Sequence, residues 1–240
     1  MSQPSSPLPQ HTLSPQMEQA LARISWELPG MAVEQESFRR IEEECADVMR
    51  SMSPECWYVA RRLIHTTADT GIASLLAFRN DAIAKGVQAL KDGVRILSDS
   101  RMIKAGLSVP KLARCNASYS RESIVCHIAD SDVAEKARQT GRTRALCAME
   151  KARDLDELNG AIVLIGNAPL ALAQLVRFIF EGAVEPALIV GMPVGFVNVC
   201  ESKELLALCQ TPHIVLEGRR GGSPLAVATV HALIEIALRD

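Results

Sequence analysis

The chain of 240 residues carries 26 basic and 28 acidic side chains for a formal charge of −2, and 48% of it is hydrophobic while only 4% is aromatic. That balance leaves no overall basic field to attract nucleic acid or an anionic membrane, so any anion site must be local. The seven cysteines are scattered and never form a C-x-x-C pair, which argues against a zinc centre or a disulfide framework and fits a reducing cytoplasm.

Residues 1–16, "MSQPSSPLPQHTLSPQ", are rich in Pro, Ser and Gln and read as a flexible N-terminal arm without the charged and apolar regions of an export signal. A single domain is expected over 17–240. From Val33 to Met52 the spacing of Phe38, Ile41, Cys45 and Val48 predicts a helix. The next helix starts at Ser53-Pro54-Glu55, where serine can cap and proline suits the first turn, and Gly71 is read as its end. "VRILSD", "IVCHIAD", "AIVLIG", "PALIVG", "GFVNV" and "HIVLEG" are short β-branched runs, several too continuous for one-sided strands. Helical stretches at 132–153, 169–181 and 224–238 separate most of them. The pattern predicts an α/β fold: three layers, doubly wound, with a mostly parallel sheet and helices on both faces. The longest apolar run, near 187–200, is too short and too broken by Gly and Pro to span a bilayer.

Three strand-to-helix corners can carry chemistry. In "AIVLIGNAPLAL" the chain turns at Gly166-Asn167-Ala168-Pro169, where main-chain N–H groups face the carboxyl end of the sheet and Asn167 is the expected cap. In "IVGMPVGFVNVCESKELL", Gly191, Pro193 and Gly195 mark tight turning or close approach, Ser202 is read as a cap, and Lys203 is a cation that an isolated position would leave solvated. In "LEGRRGGSPLAV", Arg219, Arg220, Gly221 and Gly222 precede Ser223, read as the cap of the last helix; no phosphate-binding signature is present. Arg142 and Arg144 lie two apart on an expected helix and so face different ways.

His65 sits at the edge of an apolar stripe made by Trp57, Ala60, Leu63, Ile64 and Thr67. Asp69 and the helix end favour its imidazolium, and Arg61 and Arg62 oppose it. Spacing alone makes it a surface histidine. No other histidine has an acidic or thiol partner at metal-ligand spacing.

Taken in order, "SF" at 37–38, "IHTTAD" at 64–69, "SDSRM" at 98–102, "TGRTRA", "IGNAPLAL", "GMPVGFVNVCESK" and "GRRGGS" resemble the precorrin-8X methylmutase family of corrin biosynthesis, over roughly 29–235. The resemblance implies a cytoplasmic homodimer that needs no cofactor. Its reaction moves a methyl group from C-11 to C-12 of a tetrapyrrole-derived macrocycle, giving hydrogenobyrinate or, with cobalt, cobyrinate; the product passes to the next enzyme of the route. It places the catalytic histidine on His65. The expected substrate contacts fall on Ser37, Arg62, Thr66, Thr67, Asp99, Arg144, Asn167, Gly191, Pro193, Gly195, Lys203, Arg219, Gly221, Gly222 and Ser223. Glu34, where one branch has tyrosine, and the threonines after His65 point to the cobalt branch. A polycarboxylated ring needs several anion sites around an apolar floor, which helix starts, glycine backbones and a few arginines can supply. The rival readings are a corrinoid carrier without chemistry and a nucleotide-dependent enzyme using the 218–224 loop.

Overall fold

The computed structural model describes residues 13–27 and 29–239. Its helices are α1 (Pro15–Leu21), α2 (Gly30–Glu44), α3 (Ala46–Ser51), α4 (Pro54–Thr67), α5 (Ala82–Asp92), α6 (Arg101–Gly106), α7 (Val109–Cys115), α8 (Ser131–Thr140), α9 (Arg144–Asp154), α10 (Pro169–Phe180), α11 (Val199–Leu206) and α12 (Ser223–Ala237). Its strands are β1 (Leu76–Arg79), β2 (Ile96–Ser98), β3 (Ile124–Val125), β4 (Ile162–Ile165), β5 (Leu188–Gly191) and β6 (His213–Leu216). The arm expected over 1–16 falls largely outside the described residues, and its last two positions already belong to α1.

The strands form one sheet in the order β1-β6-β5-β4-β2-β3, parallel except for β1 against β6. Side chains alternate between two cores, because successive residues of a strand point to opposite faces. Ile162, Leu164, Leu188, Val190, Ile214 and Leu216 pack with residues of α4, α5 and α12, whereas Val163, Ile165, Ile189 and Val215 pack with residues of α9, α10 and α11. Each of these buried Val, Leu and Ile side chains contributes roughly 1.5–3 kcal/mol. The result is the expected three-layer α/β architecture. No helix among the described residues is long and apolar enough to cross a membrane.

Boundaries differ from the sequence reading where the backbone turns left-handed. "GFVNV" is not a strand: Gly195 (φ 141°) and Asn198 (φ 60°) break extension, and Asn198 leads into α11. The expected helix over 33–52 divides at Cys45, and that over 132–153 divides after Gly141, where Thr143 caps α9. The helix from Pro54 stops at Thr67, closed by Ala68 (φ 53°) rather than by Gly71, which lies in a 3₁₀ turn over Thr70–Leu75. β1 escaped prediction because "LAFR" is a short edge strand half covered by its neighbours. "IVCHIAD" keeps only Ile124–Val125 as strand.

One buried histidine ties the fold to pH. His231 of α12 accepts a hydrogen bond from the Ser108 N–H at Nε2 (3.3 Å), and burial, with Lys111 and Arg62 beside it, lowers its pKa from 6.5 to about 4. Its folded value lies below its unfolded one, so its contribution is complete above pH 6.5 and is lost as pH falls toward about 4. The wild type should therefore lose urea stability over that window more steeply than His231→Gln, by ~2 kcal/mol after allowance for partial exposure. Equal slopes would show that this imidazole does not govern acid stability.

Candidate active site

The order in which strands are added reverses between β2 and β4: β3 adds on one side of β2, and β4, β5 and β6 follow on the other. In open α/β sheets ligands bind outside the carboxyl ends of strands at such a point. There Asp99 follows β2 and Gly166-Asn167-Ala168 follows β4. Asp99 is 4% exposed, and its carboxylate accepts from the N–H groups of Gly166 (3.0 Å), Asn167 (2.8 Å) and Ala168 (2.6 Å). Asp99, not Asn167, caps this turn; the Asn167 side chain is exposed and makes no hydrogen bond among the described residues. Burial raises the pKa of the Asp99 carboxyl, and the three amides oppose that rise. Three N–H groups aimed at the two oxygens, with no acceptor placed to receive a carboxyl proton among the described residues, suit the charged form.

The loops after β5 and β6 are fastened to each other. Gly222 N–H donates to Met192 O (2.8 Å) and Gly195 N–H to Arg219 O (3.3 Å). Lys203, expected as a substrate contact although a lone lysine there would usually be solvated, is 3% exposed and donates to the carbonyls of Gly218 (2.8 Å) and Arg220 (2.7 Å); burial lowers its pKa to about 8. It holds a loop and does not reach outward. Gly191 makes room for Leu206, since a Cβ there would lie 2.6 Å from Leu206 Cδ2, and Pro193 is buried. Ser223 is the first residue of α12 and not its cap; its hydroxyl meets that of Ser100 at 2.9 Å. Ser202 likewise turns inward, to Val199 O. The guanidinium of Arg219 lies over the Phe196 ring (5.5 Å), while Arg220 reaches Asp69 at 3.2 Å and so joins this loop to the segment after α4.

α4 carries His65 in its last turn. The Ser37 hydroxyl of α2 lies 2.7 Å from His65 Nδ1, and Phe38 packs edge-on to the imidazole with centroids 5.1 Å apart. Both side chains meet because α2 lies along α4, pinned by the pairs Arg61–Glu42 and Arg62–Glu34. His65, Ser37, Ser25, Val33, Ile41 and Thr70 line a cleft of about 550 Å³. His65 Nε2 has no partner among the described residues. The hydroxyls of Thr66 and Thr67 donate to the helix carbonyls of Arg62 and Leu63, which commits their protons locally. Arg62 is buried between Glu34 (2.5 Å) and Glu235, over the Phe38 ring, and is thus a strut of the α2–α4–α12 junction rather than a free anion ligand.

Arg144, exposed at the start of α9, has no ion pair or hydrogen bond for its side chain among the described residues, and neither does Arg101 at the start of α6. Arg101 was missed as a candidate although "SDSRM" contains it beside Asp99. Arg142 is paired with Glu150 at 2.7 Å. His127 corrects another expectation: its Nδ1 lies 2.8 Å from Asp130 and its Nε2 2.5 Å from Glu157, the latter too far along the chain for spacing to reveal. The structure thus groups His65 with Ser37, Asp99 with Asn167, and Lys203 with the loop after β6. Among the described residues, no hydrogen bond or ion pair joins the Arg144 side chain to any of them.

The family profile described as CbiC, precorrin-8X methylmutase, matches residues 32–236. The chain belongs to the precorrin-8X methylmutase family. It is 40% identical over 211 residues to the cobalt-precorrin-8 methylmutase of Leptospira interrogans, covering 85% of this chain and 93% of that protein. It is 37% identical to the precorrin-8X methylmutase of Pseudomonas aeruginosa, covering 85% and 94%. Among solved structures, the precorrin-8X methylmutase of Thermus thermophilus superposes with a TM-score of 0.79 at 43% identity, over 88% of this chain and 97% of that one. The family shared with these relatives is one of isomerases, so the carrier reading finds no support in them.

Proposed function

We propose that the chain moves a methyl group from C-11 to C-12 of precorrin-8, with His65 as the group that lends and recovers a proton. The observation that carries the reading is the Ser37–His65 pair at 2.7 Å, opening on a cleft, in a chain of this family. Substrate and product are isomers: the methyl bond to C-11 breaks, the bond to C-12 forms, and no electron or atom is gained. Protonating the conjugated ring lowers the barrier, and taking the proton back restores the catalyst. With the Ser37 oxygen as acceptor, Nδ1 keeps its proton in both charge states and Nε2 is the atom that exchanges it.

Binding requires cations and an apolar floor. Arg144, Arg101 and Arg219 are exposed guanidinium groups suited to the acetate and propionate arms. Phe196 (84% exposed), Val197 (73%) and Met102 (64%) are apolar side chains of the same strand ends, suited to the macrocycle face. The scheme calls on no cofactor, and cobalt, where present, arrives in the substrate. The cobalt form is the reading supported by the names of the Leptospira relative and of the 38% identical relative from Methanocaldococcus jannaschii. A homodimer that hands its product to the next corrin enzyme belongs to the same proposal.

Incubating the protein with an excess of precorrin-8 or cobalt-precorrin-8 and following the absorbance tests this reading. Catalysis converts the excess, whereas a carrier shifts only a stoichiometric amount. Ser37→Ala should lower kcat by about tenfold with little change in KM, the worth of one hydrogen bond that orients the ring. An unchanged kcat would show that Ser37 does not orient the His65 ring for the reaction.

A further inference from the structure

We infer that Asp99 is a positioning residue, the anion already resident at the start of α10, so that this turn meets substrate through the Asn167 side chain and not through main-chain N–H groups. The inference deepens the methylmutase reading and rests on it for the identity of the ligand. A helix start at the reversal point of the sheet is where an incoming carboxylate would be expected to bind. Here the donors that would receive it are taken: Oδ1 accepts from Gly166, and Oδ2 from Asn167 and Ala168. Ala168, the residue at the cap position, has no side chain able to cap, and Asp99 supplies the function from β2. Its own N–H is fixed to Leu164 O at 3.1 Å, so the carboxylate is aimed by the sheet itself.

Two neighbours show what the arrangement positions. Gly166 lies against the start of α12 so closely that a Cβ would be 2.8 Å from Ser223 Cα, and Ser100, next to Asp99, is bonded to Ser223. Asn167 projects outward with its amide unpaired among the described residues. Drawing three consecutive amides inward onto one carboxylate forces the intervening side chain out, toward the carboxyl end of the sheet. A carboxamide donates to an anion without carrying charge, which suits a ligand with both carboxylates and an apolar ring.

Asp99→Asn and Asp99→Ala, with Asn167→Ala, test the assignment by hydrogenobyrinate titration, steady-state kinetics and melting temperature. Asp99→Asn keeps the shape but sets an NH₂ against an amide N–H. It should still melt cooperatively, with KM and the hydrogenobyrinate Kd raised at least about tenfold and kcat changed less than about threefold. A residue that only stabilised the fold would lower the active fraction and leave KM alone. Asn167→Ala should raise KM without moving the melting temperature, and the double variant Asp99→Asn/Asn167→Ala should raise it no further. Formate should raise the melting temperature of Asp99→Ala, by refilling the amide cradle, and leave the wild type unmoved. Wild-type KM and Kd in Asp99→Asn, additive effects in the double variant, or no formate response in a folded Asp99→Ala would each overturn the inference. If the wild type converts no precorrin-8, the methylmutase reading fails, while the formate response still reports whether a carboxylate fills the cradle.

Discussion

Replacing His65 by alanine is expected to lower kcat by about 10²–10⁴-fold while leaving the hydrogenobyrinate Kd within about threefold of wild type. Among the histidines of the described residues, only this one combines a cleft, a ring partner and a ring nitrogen left without one. His127 has each nitrogen facing a carboxylate. Burial lowers the pKa of His213 and His231, which keeps them neutral and enclosed. Ser37 holds Nδ1, and a hydroxyl serves there whether the ring is charged or neutral. Truncation removes the proposed proton donor and leaves the proposed binding groups Arg144, Arg101, Arg219 and Phe196 in place, so chemistry should fail before binding does. Stopped-flow absorbance at saturating substrate separates the two. An alanine variant with wild-type single-turnover rates would end the proposed role of His65.

The sheet was legible because its central strands are buried on both faces and so read as unbroken apolar runs, such as Ile162–Ile165 and Leu188–Gly191. The edge strand β1, covered on fewer sides, carried too weak a pattern to be seen. Site residues were legible as positions and less so as roles. Asp99 was expected to touch substrate, yet its three partners lie 67 to 69 residues away and no spacing rule reaches them. Arg62 was read the same way, but its second carboxylate, Glu235, is 173 residues distant. Lys203 was weighed as a solvated lysine because a lone lysine on a short helix usually is one. What buries it is a pair of loop carbonyls that only the fold brings near. Each of these pairs joins elements far apart in the chain, and sequence periodicity describes one element at a time. His65 itself gave no local signal of chemistry; the order of motifs around it supplied the expectation, and Ser37, from a different helix, supplies the geometry.

Gly221→Ala is expected to lower turnover by at least ~100-fold, because the two loops it separates cannot both keep their places. A Cβ at Gly221 would lie 2.4 Å from Met192 O and 2.5 Å from Pro193 O, both main-chain atoms that no rotamer change can move. The same carbonyl of Met192 receives the N–H of Gly222, so displacing it breaks the bond that closes the loop pair. The displacement would carry Arg219 and Phe196 with it, and with them a guanidinium and an aromatic face proposed for substrate. Stability should fall too, by ~1–3 kcal/mol, the usual cost of overpacking. Gly218→Ala makes the useful contrast, since its Cβ would meet nothing within 4 Å although its φ of 69° disfavours a side chain. That change should cost ~1 kcal/mol of stability and leave kcat nearly intact. Measuring urea midpoints and steady-state kinetics on both variants distinguishes close approach from backbone conformation as the reason for glycine. Equal kinetic losses in the two would mean that the approach of the loops, 2.4 Å from a missing methyl, does not set the geometry of the site.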